Sequence, residues 1–403
     1  MNSQPGHPEL LRAINRAQLF KILKSARVVS RPYLAQETGL SRATVAVLTN
    51  DLLSSGLAEE VGLGASTGGR PPVLLQFNPD SAYALGAHMY DSQWGIIITN
   101  LDAKIVQRLD VHIPDQSPDA AVEALKAGVE EICSSVGGRI LPAIGLGTPG
   151  LVDMRSGSIK TAADLGWVDV PIRDLVHEAL GLETIVANRS KVSALAEFWY
   201  GAISSISNLI YISLGTGVAA GIILKGRLYV GANSSAGELG HTTVLPDGPV
   251  CPCGNRGCLQ QLVSGPAIAN RARLRLRENS RTLLRDRFGA HPELIGALEV
   301  FQAAEEGDDL AREIIEEAAT YLGIAVANLV NLYNPELIVL GGPLGQAGHV
   351  LLDPVQKEVE RRAMAYPLSA VQIMTSSLGI DAGAIGASVL VLQRAEELLF
   401  QDD

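Results

Sequence analysis

The stretch HTTVLPDGPVCPCGNRGC, His241 to Cys258, holds three of the four cysteines of this 403-residue chain and starts on a histidine. Nine residues separate His241 from Cys251, one separates Cys251 from Cys253, and four separate Cys253 from Cys258. Three thiolates and an imidazole are the ligand set of a closed tetrahedral zinc site. Gly254 and Gly257 permit the tight turns that this spacing requires. Protein atoms would fill all four positions and leave none for water, so the zinc expected here is structural. The alternative is a set of reduced cysteines without metal. Four cysteines do not suggest a disulfide framework in a chain read as cytoplasmic, and Cys133, alone in EEICSSVGG, reads as a plain buried thiol.

Outward from this knot the chain reads as α/β. YALGAHMYDSQWGIIITNLDAKIVQRL looks like a strand meander, PDAAVEALKAGVEEICSSV a helix and RILPAIGLGTPG a strand. The pattern recurs after residue 206, in strands NLIYISLGTG and AAGIILKGRLYVG, helical stretches from about 265 to 331, and strand PELIVLGGPLG. Two lobes built alike, with glycine turns at the strand ends, would leave a cleft for a ligand. The turns GTPG (147–150) and GTGVAAG (215–221) can bring backbone N–H groups to a ligand oxygen.

Composition agrees: 41 glycines and an aromatic share of 4% suit a turn-rich α/β protein. The longest apolar region, LIYISLGTGVAAGIILKGRLYVGA, is interrupted by Ser, Thr, Gly, Lys and Arg, so no membrane span is expected. The N-terminus lacks the basic-then-apolar plan of a secretory signal, which points to the cytoplasm. The net charge of -11 hides an asymmetry: residues 1–80 carry 8 Lys and Arg against 6 Asp and Glu, leaving 24 against 37 for the remainder. A slightly basic head on an acidic body can approach phosphates.

That head, residues 1–80, reads as a winged helix-turn-helix. In PELLRAINRAQLFKILKSA the step of five between Ile14 and Leu19 turns the apolar face, and predicts a break near Asn15 with a helix after it. RPYLAQETG follows as a second helix, with Pro32 in its first turn and Gly39 as its stop. A third starts after the N-cap Ser41 and runs through RATVAVLTNDLLSSG. Ala35, Gly39, Val45 and Leu48 supply the small residue, turn and apolar contacts of two crossing helices. This geometry places Ser41, Arg42, Ala43, Thr44 and Thr49 near base edges or phosphates. Two short strands around GASTGGRPP form the wing, with Arg70 suited to a minor groove. A protein-interaction module is the alternative reading of such a unit.

From NRAQLFKIL to the C-terminus the chain resembles the ROK family, named for its repressors, open reading frames and kinases, and within it the winged-helix repressor branch. The stretches that carry this are SRPYLAQETGLSRATV, GGRPPVLLQFNP, GLGTPGLVD, LGTGVAAGIILKGRLYVGANSSAGELGH, CPCGNRGCL, NLYNPELIVLGG and AGAIGAS. The resemblance implies a two-lobed actin-like (ribonuclease H-like) ATPase-type body over residues 81–403, a sugar pocket between its lobes, a zinc knot shaping one wall, and a homodimer or homotetramer. It also implies that Glu238 holds sugar hydroxyls, that His241 divides its two nitrogens between zinc and sugar, and that Gly150 and Asn188 complete the pocket.

Three departures from the family's kinases carry the functional expectation. Their phosphate turn, Asp-x-Gly-Gly-Thr, is here His88 to Ser92, HMYDS, where Tyr90 and Asp91 bring bulk and negative charge. Their Asn-Asp, whose Asp takes the proton of the attacking hydroxyl, is here Asn188-Arg189, and a guanidinium cannot be that base. Their Glu after Gly-Cys-Leu is here Gln260. Arg189 either binds an anionic effector, a sugar acid or sugar phosphate, or pairs with Glu238 or Asp153 and closes the pocket. The expectation is a homo-oligomeric repressor of carbohydrate genes that binds operator DNA, senses a sugar or sugar derivative, and is no enzyme. The rivals are an active sugar kinase with a DNA-binding appendage and a ligand-blind regulator that answers to a protein.

Overall fold

The computed structural model describes residues 8–65, 71–90, 92–203, 205–278 and 281–400. At its start, α1 (Pro8–Ala26) runs unbroken through Asn15, so the expected break is absent. What the step of five marks is a change of face. Leu11 and Ile14 stay half exposed, whereas Leu19, Phe20 and Leu23 are fully buried. They meet Leu34 of α2 (Arg31–Thr38) and Val45, Leu48 and Leu52 of α3 (Arg42–Ser54), each burial stabilising by about 1.5–3 kcal/mol over exposure.

Helices α2 and α3 are joined as expected. Gly39 ends α2 at φ 71°, its N–H donating to Ala35 O, and Ser41 Oγ caps α3 by accepting from Thr44 N at 3.1 Å. A small sheet of order β1-β3-β2 completes the head, from β1 (Val28–Ser30), β2 (Ala58–Leu63) and β3 (Val73–Phe77), all antiparallel.

The rest of the chain contains two five-stranded sheets of matching order. The first runs β6-β5-β4-β7-β11, from β4 (Tyr83–Tyr90), β5 (Gln93–Asn100), β6 (Ile105–His112), β7 (Ile140–Thr148) and β11 (Glu183–Asn188). The second runs β14-β13-β12-β15-β16, from β12 (Leu209–Leu214), β13 (Val218–Leu224), β14 (Arg227–Leu228), β15 (Leu337–Gly341) and β16 (Gln372–Thr375). Each starts as a three-strand antiparallel meander and is extended by two later strands, which in the second sheet are parallel. The central strands β12 and β15 are apolar and buried along nearly their whole length, as parallel pairing with both faces covered requires. A third sheet, β10-β9-β8, holds β8 (Leu151–Asp153), β9 (Ser158–Ala162) and β10 (Trp167–Val170).

Backbone contacts divide the chain into two compact units. The first takes the described residues of Met1–Leu146, Arg173–Ile185 and Ala387–Asp403, and so groups the head with the first sheet. In it α4 (Pro118–Ser134) lays Val122, Leu125, Val129 and Ile132 against β5 and β6, and α5 (Ile172–Leu180) belongs to the same unit from Arg173 on. Phe20 meets Phe400 edge to face at 5.9 Å, next to α15 (Ala395–Leu399), and Arg16 lies over the Phe400 ring.

The second unit holds Gly147–Ile172 and Val186–Gly386. Its core lies between β12, β13 and β15 and a helical layer of α8 (Gly265–Leu276), α10 (Ala297–Glu305), α11 (Asp309–Tyr333) and α12 (His349–Arg362), with α6 (Arg189–Tyr200) packed on β12 and β13. The short helices α7 (Gln260–Val263), α9 (Leu283–Phe288) and α13 (Ala365–Leu368) link these elements, and α14 (Ala382–Leu392) runs from the second unit into the first. Among the described residues no helix is long and apolar enough to cross a membrane.

Candidate functional site

The cysteine knot is a fold of loops whose turns put four donor atoms together. Cys251 N–H donates to Asn255 O and Gly254 N–H to Cys251 O, while Thr243 bridges Cys258 and Val250 bridges Arg256. The ligand atoms of His241, Cys251, Cys253 and Cys258 all lie within 4.8 Å of one another. His241 Nδ1 sits 3.6 Å from Cys251 Sγ, and Cys253 Sγ 3.7 Å from Cys258 Sγ. A tetrahedron with metal–sulfur bonds of ~2.3 Å and a metal–nitrogen bond of ~2.0 Å has edges of about 3.5–3.8 Å, so the cluster has the size of a metal site. Gln261 Nε2, 3.7 Å from Cys251 Sγ, is a donor that the sequence reading missed. Without an ion the thiols differ: the Asn255 N–H beside Cys253 brings its pKa down to about 7, and burial pushes Cys258 up to about 12.

Most residues expected in the effector pocket gather at the start of α6 and the turns around it. Asn188 caps α6, its Oδ1 accepting from Ser190 N at 2.9 Å and from Ser190 Oγ at 2.6 Å, and its Nδ2 donating to Gly150 O at 2.6 Å. It thus ties the Gly150 turn to the helix and keeps one amide hydrogen for a ligand. Gly221 of β13 lets the first turn of α6 lie directly on the sheet, since a Cβ there would overlap Ser190 O. Arg189, half-buried, donates to Thr216 Oγ1 at 3.4 Å, in the Gly215–Gly217 turn between β12 and β13. The expected alternative, an ion pair of Arg189 with Glu238 or Asp153, is absent among the described residues. Asp153 accepts instead from Arg155 N and Ser156 Oγ. Gln260 places its Oε1 opposite Gly217.

The charge facing Glu238 is Lys191, which the sequence reading missed because it attended to Arg189 alone. Lys191 is 2% exposed, and burial pulls its pKa down while Glu238 raises it. Burial in turn pushes Glu238 up, against Lys191 and His241. Glu238 also borders a hollow of about 440 Å³ with Thr242, Thr243, Asn328 and Asn331, which neither Arg189 nor Lys191 lines.

In the head, α3 exposes Arg42, Ala43, Val47 and Asn50, and Thr44 is partly covered with its Oγ1 2.8 Å from Ser41 Oγ. Thr49 is a correction: it is fully buried, donates to Val45 O, and accepts from Arg31 Nε at 3.0 Å, so it cannot reach DNA. Val47 and Asn50 take its place on the open face. Arg70 and Asp91 lie outside the described residues. Tyr90 pairs with Gln93 across the β4–β5 hairpin, stacks on His88, and donates to Asp110 Oδ1 at 2.9 Å.

Comparison with known proteins decides the family, because the ROK family profile matches residues 90–394. The chain belongs to the ROK family. A xylose repressor of Caldicellulosiruptor bescii is 31% identical over 394 residues, 96% of this chain and 97% of that one. A glucokinase of Halalkalibacterium halodurans is 39% identical over 256 residues, 63% of this chain and 77% of that one. Among solved structures, a ROK family transcriptional regulator, homologous to the E. coli MLC protein, superposes with a TM-score of 0.81 at 27% identity, over 97% of this chain and 98% of that one. The sheet order β6-β5-β4-β7-β11 and its repeat are therefore the α/β fold of ROK sugar kinases and regulators alike. The ROK regulator matches almost the whole chain, head included, and the glucokinase about two thirds of it.

Proposed function

We propose that this chain is a DNA-binding transcriptional repressor of carbohydrate uptake or catabolism genes. Its head, residues 1–80, is a winged helix-turn-helix, and its body, residues 81–403, senses a sugar or sugar derivative without phosphorylating it. The observation that carries this is the pairing of an open α3 face with Arg189 at the start of α6. Arg42, Ala43, Val47 and Asn50 are the side chains offered to a major groove, and Arg70 serves the wing. At residue 189 a guanidinium stands where a kinase needs a base. Zinc is the ion that suits three thiolates and an imidazole, and it supplies a rigid cross-link for the loops behind Glu238 and His241. With Nδ1 turned to the cluster, His241 offers Nε2 to a ligand, next to Glu238, Asn188, Gly150 and Gln260. As a homodimer or homotetramer in the cytoplasm, the protein would read two half-sites spaced by helical turns.

The test is selection of bound DNA from a random duplex pool by the full-length zinc-loaded protein, followed by anisotropy titrations of the selected sequence with and without sugars. A repeated half-site bound far more tightly than random DNA supports the reading; salt-sensitive binding with no sequence preference overturns it. The 39% match to a glucokinase favours one second reading, phosphoryl transfer. A coupled assay with ATP-Mg and a panel of sugars decides it: turnover above the no-enzyme control, lost in Glu238→Gln, would restore the kinase.

A further inference from the structure

We propose that Val47, with Ala43 beside it, reads the 5-methyl group of thymine, so that each operator half-site carries a thymine opposite the middle of α3. This rests on the DNA-binding role given to the head above, and it names the base that the head selects.

Exposed aliphatic residues are ordinary on a protein surface, and Leu11 and Ile14 of α1 are as open as Val47. What singles out Val47 is where it stands. On α3, Val45, Leu48 and Leu52 are buried in the head, whereas Val47 is 53% exposed. Ala43, four residues before it and one turn away on the same side, is exposed too, and so is Asn50, three residues on. Arg42 opens the helix and is also exposed. The one acid of α3, Asp51, is held by Arg12 at 2.8 Å, so no free carboxylate on this helix opposes a phosphate backbone. The open face is therefore apolar in its middle, with a guanidinium before it and an amide after it.

Folding does not ask for this valine. A β-branched side chain in solvent adds nothing to the core, and it is a poorer helix former than lysine or glutamine. The major groove gives an aliphatic side chain little to touch. Guanine, adenine and cytosine present donors and acceptors there, which an aliphatic contact would strip of water without replacing the hydrogen bonds. Thymine is the base that presents a methyl group, beside its O4 acceptor. Asn50 Oδ1 accepts from Arg31 Nη2 at 3.4 Å, and Asn50 Nδ2, with no partner among the described residues, suits such an acceptor. An apolar residue and an amide donor side by side on one helix match the edge that thymine shows.

The test uses the full-length zinc-loaded protein and the duplex that it selects from the random pool, remade with deoxyuridine at one thymine at a time. Deoxyuridine keeps every hydrogen-bonding group of thymine and lacks the methyl. At one position of a half-site the replacement should weaken binding about fourfold, the worth of burying one methyl group, and Val47→Ala should weaken binding of the thymine duplex by about as much or more. In Val47→Ala the same replacement should cost less than about twofold, because the contact is already gone. Val47→Ile should keep the preference for thymine over deoxyuridine. Melting temperatures of the variants, expected to match the wild type because Val47 is outside the core, separate lost contact from lost fold. A selected half-site without thymine, or deoxyuridine losses equal in wild type and Val47→Ala, overturns the methyl contact and leaves the DNA-binding reading standing. Failure to select any sequence removes both.

Discussion

Replacing Gly257 by alanine tests the cysteine knot without touching a ligand. Gly257 sits at φ 66°, where an L side chain costs roughly 1–2 kcal/mol. The new methyl would also overlap the Leu245 carbonyl oxygen and stand 2.5 Å from its carbon, against an ordinary separation of about 3.5–4 Å. Leu245 receives no slack from its neighbours, because Leu245 O accepts from Gly248 N and Leu245 N donates to Gly257 O. Relief therefore needs a shift of about 1 Å or more next to Cys258, several times the ~0.2 Å that a coordination sphere tolerates. Gly254→Ala is the matched control, since Gly254 also has a positive φ, 91°, but has nothing within 4 Å of its added Cβ. It should keep its metal and lose about 1–2 kcal/mol, or roughly 2–8 °C for a unit of this size. Gly257→Ala should purify with less than half the wild-type zinc by elemental analysis and unfold well below the control. Equal zinc and equal melting temperature in the two variants would refute the reasoning.

Three further outcomes follow from the same geometry. Arg42→Ala should weaken operator binding about tenfold and flatten the salt dependence by about one unit in anisotropy titrations, because the exposed guanidinium starts the open face of α3. Thr49→Val should instead leave affinity within a factor of two and lower head stability by about 1–2 kcal/mol, since it strips Arg31 Nε of its acceptor; an affinity loss matching that of Arg42→Ala would contradict the burial of Thr49. Glu197 is buried beside Ser376, and burial holds its pKa above the usual carboxylate value. A folded pKa above the unfolded one means stability present at low pH and lost as pH rises through the folded value, so Glu197→Gln should raise the melting temperature at pH 7.5 and not at pH 4. Equal shifts at both pH values would count against this.

How far the sequence could be read depended on whether a residue's role is local. The N-cap Ser41, the αL stop at Gly39 and the Cys251–Cys258 spacing are short-range devices, and the structure realises each of them. The doubled sheet was legible in outline from the recurring strand pattern, while β8 to β11 and the small β10-β9-β8 sheet were not, their strands being short and between turns. Misreadings came where helical phase meets tertiary cover. Thr49 stands one heptad after Arg42, about 20° away around α3, so spacing alone gives both the same face; α2 starts over the second half of α3 and Arg31 closes on Thr49. The supposed break at Asn15 has the same origin, a change of face without a change of helix.

Lys191 was missed for a different reason. A lysine in the first turn of a helix is ordinary on a surface, and nothing in RSKVSALAEF says that the eight residues after Arg189 are buried. Burial converts an unremarkable pattern into a conflict between levels: a base near the positive end of a dipole, buried and without a hydrogen-bond partner among the described residues. Local rules are broken in this way chiefly where a ligand completes the structure. Lys191 directly follows Ser190, whose carbonyl lies against Gly221 of β13, so the turn cannot lift the ammonium out to solvent and Glu238 is the charge left to answer it.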